Sequence, residues 1–243
     1  MLALVAATAQ ELSACLGAMD AALPSREALE QGAILPATVF EREILTCVSG
    51  VGMVNAGIMS GRLLERGVTG VVNVGIAGSF DFESAPLRSL WLAASETWPE
   101  YGLRDAQGMA DARALKFPLA KVADEPVWDR LELNPCRDMD TMQLRMDSRW
   151  GQADFLSVSG VSTSPERVRR LRKRFDVLLE NMEGFAFALS CAGHGVPFLE
   201  MRTVSNRVGS RERTDWDIAG ALAALGNACT DLLSGRREGR PLF

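Results

Sequence analysis

The chain is poor in the residues on which many catalysts depend. Its 243 residues include one histidine and one tyrosine. A Ser-His-Asp triad or a multi-histidine metal centre therefore has almost no material. His194 lies between Gly193 and Gly195 and reads as a helix-end turn residue. Ser162, Ser164 and Ser205 consequently lack a histidine partner and read as loop or capping residues rather than nucleophiles. The five cysteines, Cys15, Cys47, Cys136, Cys191 and Cys229, form no C-x-x-C pair, which points to reduced, mostly buried thiols and not to zinc or dithiol chemistry. Positive charge is also short, with 26 Lys and Arg against 31 Asp and Glu and a formal net charge of -5. This balance disfavours nucleic acid as a partner. No long apolar run exists: Leu2 to Ala7 is too short for a membrane span or a signal segment and has no basic stretch before it. A cytoplasmic protein with no membrane partner is the expectation. The glycine turns at Gly50 and Gly78 lack a Walker lysine and full dinucleotide spacing, so nucleoside triphosphates and NAD are unsupported.

What is present suits a single α/β domain over residues 1–243, with 47% hydrophobic and 23% charged residues and no composition break. The continuous apolar run Leu2 to Ala7 predicts a central strand covered on both faces. Thr8 is placed to cap a helix over Gln10 to Ala22, which makes Glu11 a first-turn residue just beyond a strand end. A strand near Glu43 to Ser49 runs through Gly50-Val51-Gly52 into a helix from Met53 to Glu65. The buried strand Val71 to Val74 is expected to end in a glycine-punctuated turn, Gly75 to Ser79. Residues 100 to 150 read as an excursion from the sheet. Beyond them come a strand at Phe155 to Ser159, a basic helix opened by Ser164-Pro165-Glu166, and a strand from Asp176 to Glu180. A helix follows Met182-Glu183-Gly184, then a strand from Val196 to Ser205, a loop from Asn206 to Asp215 and a last helix from Trp216 to Leu233 with a polar tail. This alternation predicts a three-layer α/β/α fold with a mixed central sheet.

Glu11, the Gly75 to Ser79 turn, Glu183 and Ser205-Asn206 all fall at predicted strand ends, where open α/β sheets gather their ligands. Each also has a plain reading. Glu11 and Glu183 open helices, where a carboxylate is favoured by the helix dipole alone. The arginines between Arg167 and Arg174 read as a solvated helix face with Val168 and Leu171 turned inward.

Five segments, in order, resemble the nucleoside phosphorylase/nucleosidase superfamily across nearly the whole chain. They are Ala6-Ala7-Thr8-Ala9-Gln10-Glu11-Leu12, Ser49 to Ala56, Asn73 to Phe80, Asn181-Met182-Glu183-Gly184 and Phe198 to Asn206. The similarity is strongest to the branch that holds methylthioadenosine/S-adenosylhomocysteine nucleosidases and futalosine hydrolases. That resemblance implies a nucleoside phosphorylase-like fold, a small nucleoside as substrate, no metal or organic cofactor, and a homodimer or higher homo-oligomer. It also implies roles. Glu11 matches the residue that activates water, Met182 and Glu183 the pair that holds ribose, and Asn206 the residue that meets purine N7, with Ser205 and Thr163 beside the base. Ala77 and Gly78 are expected to offer backbone amides to the water, and Val51, Met53 and Phe80 to wall the 5′ group. Thr163 falls where adenine-specific relatives place a stacking aromatic, so Phe80, Phe155 and Trp216 stand as alternative stackers.

Position 206 departs from the adenine-specific pattern, which has aspartate there. An asparagine amide offers N–H donors to N7 and a 6-oxo group but cannot act as a Brønsted acid, so it favours hypoxanthine. The resemblance then implies hydrolysis of futalosine to hypoxanthine and dehypoxanthine futalosine, on the futalosine route to menaquinone. Because that substrate carries a carboxylate on its 5′ extension, Arg207 and Arg145 are candidate partners for it. An adenine-releasing nucleosidase and a non-catalytic nucleoside-binding protein are the rivals. Phosphorolysis is less favoured, because Glu11 would repel phosphate and no arginine precedes Arg26.

Overall fold

In the computed structural model, which describes residues 1–19, 28–106 and 110–235, the opening apolar run forms β1 (Leu2–Ala6), buried at every position. Thr8 caps α1 (Ala9–Ala18). The predicted end of that helix at residues 20 to 22, Arg26 and most of the polar tail lie outside the described residues. Next come β2 (Ile34–Val39), β3 (Arg42–Val48), α2 (Met53–Glu65), β4 (Gly70–Ser79) and β5 (Leu90–Thr97). The stretch expected to leave the sheet contributes five short strands, β6 (Leu103–Arg104), β7 (Ala110–Asp111), β8 (Ala120–Val122), β9 (Glu125–Val127) and β10 (Arg130–Glu132), and then α3 (Pro135–Thr141). The chain continues with β11 (Gly151–Ser157), α4 (Pro165–Phe175), β12 (Leu179–Asn181), α5 (Gly184–His194), β13 (Phe198–Arg207) and α6 (Ile218–Leu233).

The main sheet is mixed and runs β10-β5-β11-β12-β4-β1-β3-β2, with β13 bonded to both β4 and β5. That double pairing closes the strands β4, β13, β5, β11 and β12 into a ring. α1 and α6 pack one apolar face with Leu12, Leu16, Leu225 and Cys229 in a common cluster, while α2 and α5 cover the other through Met59, Leu63, Phe187 and Cys191. The three-layer expectation holds. β2 carries Pro36 and lies at the sheet edge, the place where a strand tolerates a residue without an N–H. Four cysteines are buried and Cys136 is exposed. Among the described residues no helix is long and apolar enough to cross a membrane.

Three local readings are corrected. Gly75 to Ser79 is not a turn but the continuation of β4, paired to β13 and β12. Glycines there serve close approach: a Cβ on Gly75 would strike the Arg202 guanidinium and come within 2.7 Å of Glu11 Oε1. Asp176 is the left-handed cap of α4, so the strand after it shrinks to Leu179–Asn181. β13 extends past Ser205 to Arg207, with an irregularity between Val204 and Asn206 that re-aims the strand where its side chains matter most.

Candidate active site

Strand ends meet at a cavity of about 920 Å³. One end of it is built from carboxylates. Thr8 and Glu11 form a reciprocal capping box, in which Thr8 Oγ1 accepts from the Glu11 N–H at 3.2 Å and Glu11 Oε2 accepts from the Thr8 N–H at 3.0 Å. The Thr8 hydroxyl donates to the same Oε2 at 2.8 Å, and the Ile76 N–H donates to Oε1 at 3.0 Å. Glu11 is thus a helix cap and a cavity-lining carboxylate at once, held by three donors.

Glu183 faces the same space from the turn between β12 and α5. Asn181 Oδ1 accepts the N–H groups of Glu183 and Gly184, each at 2.9 Å, which fixes the turn. Glu183 Oε1 accepts from the Gly52 N–H at 3.0 Å, and Oε2 lies 3.5 Å from Arg202 Nη2. Burial pushes the Glu183 carboxyl above its ordinary range; Arg202 and the Gly52 amide oppose this, and Glu11 adds to it. Arg202 is fully buried. Burial disfavours its charge, but Glu200, Glu183 and Glu11 outweigh that cost and hold the guanidinium more firmly protonated than usual.

The other end sets an amide beside a third carboxylate. The one proton of the Ser205 hydroxyl lies between Asn206 Oδ1 at 2.9 Å and the Ala77 carbonyl at 3.2 Å, and Asn206 Nδ2 uses one hydrogen on the Arg207 carbonyl at 3.2 Å, which leaves it a second to donate. Glu180 also lines the cavity, and its carboxylate accepts from the Ser162 N–H at 2.9 Å and the Ser162 hydroxyl at 2.6 Å. Burial is the main force raising its pKa. Both Glu180 and Asn206 are register partners of Gly78, on opposite sides of β4.

The cavity brings together Glu11, Glu183, Met182, Ser205 and Asn206, and Val51, Ala77, Gly78 and Thr163 line it too. Ala77 and Gly78 do so as strand residues, and the β4 amide that reaches Glu11 is that of Ile76. Two expected wall residues are elsewhere. Phe80 is packed with Leu156, Val158 and Leu171 in a core cluster, and Met53 packs at the foot of α2 against the cluster of Met59 and Leu63. Among the alternative stackers, Phe155 is core, whereas Trp216 lines the cavity and bridges to Asn206. Arg145 is joined through its N–H to the end of α6, and Arg207 pairs with Asp215 at 3.3 Å and covers the Phe82 ring; neither lines the cavity. Arg211 and Arg213 do, from the loop before α6. Sequence reasoning passed over these two, and over Glu180 and Arg202, because loop arginines and strand-borne charges carry no periodic signal. His194 Nδ1 lies 2.9 Å from the Ser190 carbonyl in the last turn of α5, and Arg170 and Arg172 pair with Glu166 and Asp81, while Arg167 pairs with Glu100 and donates to the buried Ser162 hydroxyl at 3.1 Å.

A sequence profile described as the phosphorylase superfamily matches residues 2–234. The chain belongs to the phosphorylase superfamily. Within it, the chain is 36% identical over 168 residues to a futalosine hydrolase of Streptomyces coelicolor, an alignment covering 65% of this chain and 62% of that protein. It is 32% identical over 187 residues to a futalosine hydrolase of Thermus thermophilus, covering 76% and 79%. The match to the Streptomyces protein thus spans less than two thirds of its length. The native structure of futalosine hydrolase from Helicobacter pylori superposes with a TM-score of 0.69 at 16% identity, covering 94% of this chain and 96% of that one, so the two share one fold.

Proposed function

We propose that the chain hydrolyses the N-glycosidic bond of futalosine, releasing hypoxanthine and dehypoxanthine futalosine. The observation that carries this reading is a single cavity with two carboxylates at one end and an amide beside a third carboxylate at the other. Cleavage of the bond builds positive charge at ribose C1′ and negative charge on the leaving purine. Glu11 orients a water on the face opposite the base and takes its proton, giving inversion. Glu183 accepts from the ribose hydroxyls, a contact that strengthens as the oxocarbenium ion forms, and Met182 lies against the sugar. Asn206 Nδ2 donates to the purine, with Ser205 holding its orientation. Water, not phosphate, is the nucleophile: Glu11 repels an anion, and Arg202 already faces Glu183 and Glu200. Incubation with futalosine, aminodeoxyfutalosine, inosine and methylthioadenosine, each with and without phosphate, tests the reading. Hypoxanthine from futalosine at a rate independent of phosphate is the expected result; adenine as the preferred product, or an absolute need for phosphate, refutes it.

The 5′ extension of futalosine carries an aromatic carboxylate, and Arg211 and Arg213 are the cavity-lining cations placed to receive it, with Val51 and Trp216 as apolar wall. No ion pair involves either arginine among the described residues. Replacing both with alanine is expected to raise KM for futalosine about tenfold, a modest value because the side chains are exposed. Initial-rate measurements should find kcat nearly unchanged and no rise in KM for inosine, which lacks the carboxylate. Equal KM changes for both substrates would count against this pairing. The proposed setting is cytoplasmic, in menaquinone synthesis. A homo-oligomer is supported by the exposed apolar residues Val54 and Ile58 on α2 and Val51 just before it.

A further inference from the structure

Behind the sugar end of the cavity lies a second layer of buried charge that the reading above does not use. Glu96 on β5 and Glu200 on β13 are 0% and 1% exposed. Their carboxylates crowd the same point, the place that a side chain on Gly184 would occupy, which is why α5 must begin with glycine. Glu96 Oε2 accepts from the Ser157 hydroxyl at 2.7 Å, and Oε1 accepts from Asn181 Nδ2 at 2.6 Å. Glu200 Oε1 accepts from Arg202 Nε at 2.8 Å. Glu200 Oε2 has no partner among these donors although it is buried against Glu96. Two carboxylates in buried contact cannot both stay ionised, and a buried oxygen without a partner is costly. One proton on the line between Glu200 Oε2 and Glu96 Oε1 removes both difficulties.

We propose that Glu96 and Glu200 share one proton and act together as positioning residues, Glu200 aiming Arg202 at Glu183 and Glu11, and Glu96 anchoring, through Asn181, the turn that carries Glu183. The inference rests on the base-releasing reading for its effect on rate, but not for the proton itself. In charge terms the buried wall holds Glu11, Glu183, Glu96 and Glu200 around one guanidinium. The shared proton stops the rear pair from drawing Arg202 away from the two carboxylates that face the substrate. Burial first, and the Glu200 charge second, push the Glu96 carboxyl well above its ordinary range. A group raised in this way adds stability that is fully present below its unfolded-state pKa and is lost as pH climbs through the folded one. The charged groups bearing on the pair are Arg202 beside Glu200, Glu183 across the turn and Glu11 from α1; Ser157 and Asn181 contribute dipoles. Loss of the proton on the alkaline side therefore sets two carboxylates against each other and draws Arg202 back toward them, away from Glu183 and Glu11.

Glu200→Gln reproduces the protonated pair, because its amide oxygen still accepts from Arg202 and its NH2 donates permanently to Glu96. It should keep kcat within about threefold of wild type and lose the alkaline fall in kcat. Glu200→Met fills the space but accepts nothing from Arg202, and should lower kcat about a hundredfold with KM within about threefold. A difference infrared spectrum at neutral pH reads the proton without any turnover: wild type shows a protonated-carboxyl C=O band that Glu200→Gln lacks. A missing wild-type band, a band that persists in Glu200→Gln, or an alkaline limb unchanged in that variant overturns the pair. If the wild-type chain releases no base from any nucleoside, the infrared comparison still decides whether the proton is there. Base release without the band would sink the pair and leave the hydrolase reading standing.

Discussion

Glu11→Gln is expected to lower hypoxanthine release by a factor on the order of 10³, the range in which a positioned general base operates, while substrate binding falls little. The amide's single oxygen can still accept from Thr8, with its NH2 then turned toward the Ile76 N–H, so the cap survives while one strand contact is lost. What it loses is the capacity to take a proton from water. Single-turnover kinetics with futalosine, alongside equilibrium binding of hypoxanthine, separate the two effects. Glu11→Ala would be a poorer probe, because it also removes half of the capping box and about 1 kcal/mol of helix stability. Retention of more than a tenth of wild-type kcat in Glu11→Gln would remove Glu11 from the chemistry and leave it as a cap alone.

The second large effect belongs to the base end. Hypoxanthine presents acceptors at N7 and O6 and a donor at N1, whereas adenine presents a donor at C6 and an acceptor at N1. Asn206 offers a donor, and the Glu180 carboxylate, with room for more than the two bonds it takes from Ser162, offers an acceptor for an N1 hydrogen. Asn206→Asp places a carboxylate oxygen against the Arg207 carbonyl and against O6, leaving polar atoms unmatched in the complex. The ratio of kcat/KM for futalosine over aminodeoxyfutalosine is expected to swing toward the adenine substrate by a factor on the order of 10³, in keeping with sites that read a hydrogen-bond pattern. Competition between the two substrates in one vessel gives the ratio directly. Equal losses on both would mean that Asn206 shapes the pocket without reading the base.

The elements with plain amphipathic or continuous apolar signals were the legible ones. β1 announces itself by an unbroken apolar run, α1 by its Thr8 cap, and α6 by its apolar content, although that helix starts after the Asp217 cap and not at Trp216. β5 was illegible for a physical reason: its last three residues, Ser95, Glu96 and Thr97, are buried but polar, so burial and hydropathy disagree along it. The same disagreement hid Glu180 and Glu200. Gly75 and Gly78 look like turn residues in sequence because glycine permits turns, yet here the missing side chain makes room for Arg202, Glu11 and Asn206 on a straight strand. Glu11, Glu183 and Asn206 were readable through the family resemblance, which singled them out among strand-end residues that each had a plain reading as well; Asn206 proves to lie within β13. Arg211 and Arg213 were not, since nothing in a loop's composition says which way its arginines point.

β13 is hydrogen-bonded along both flanks, to β4 and to β5, and it carries Arg202 toward one end of the cleft and Asn206 toward the other. Four residues of extended chain span roughly 13 Å at about 3.3 Å per residue, shortened somewhat by the local irregularity. A strand clamped on two sides cannot stretch or slide to suit a different guest. It works as a ruler, and a nucleoside with a one-ring base would reach one graduation and fall short of the other.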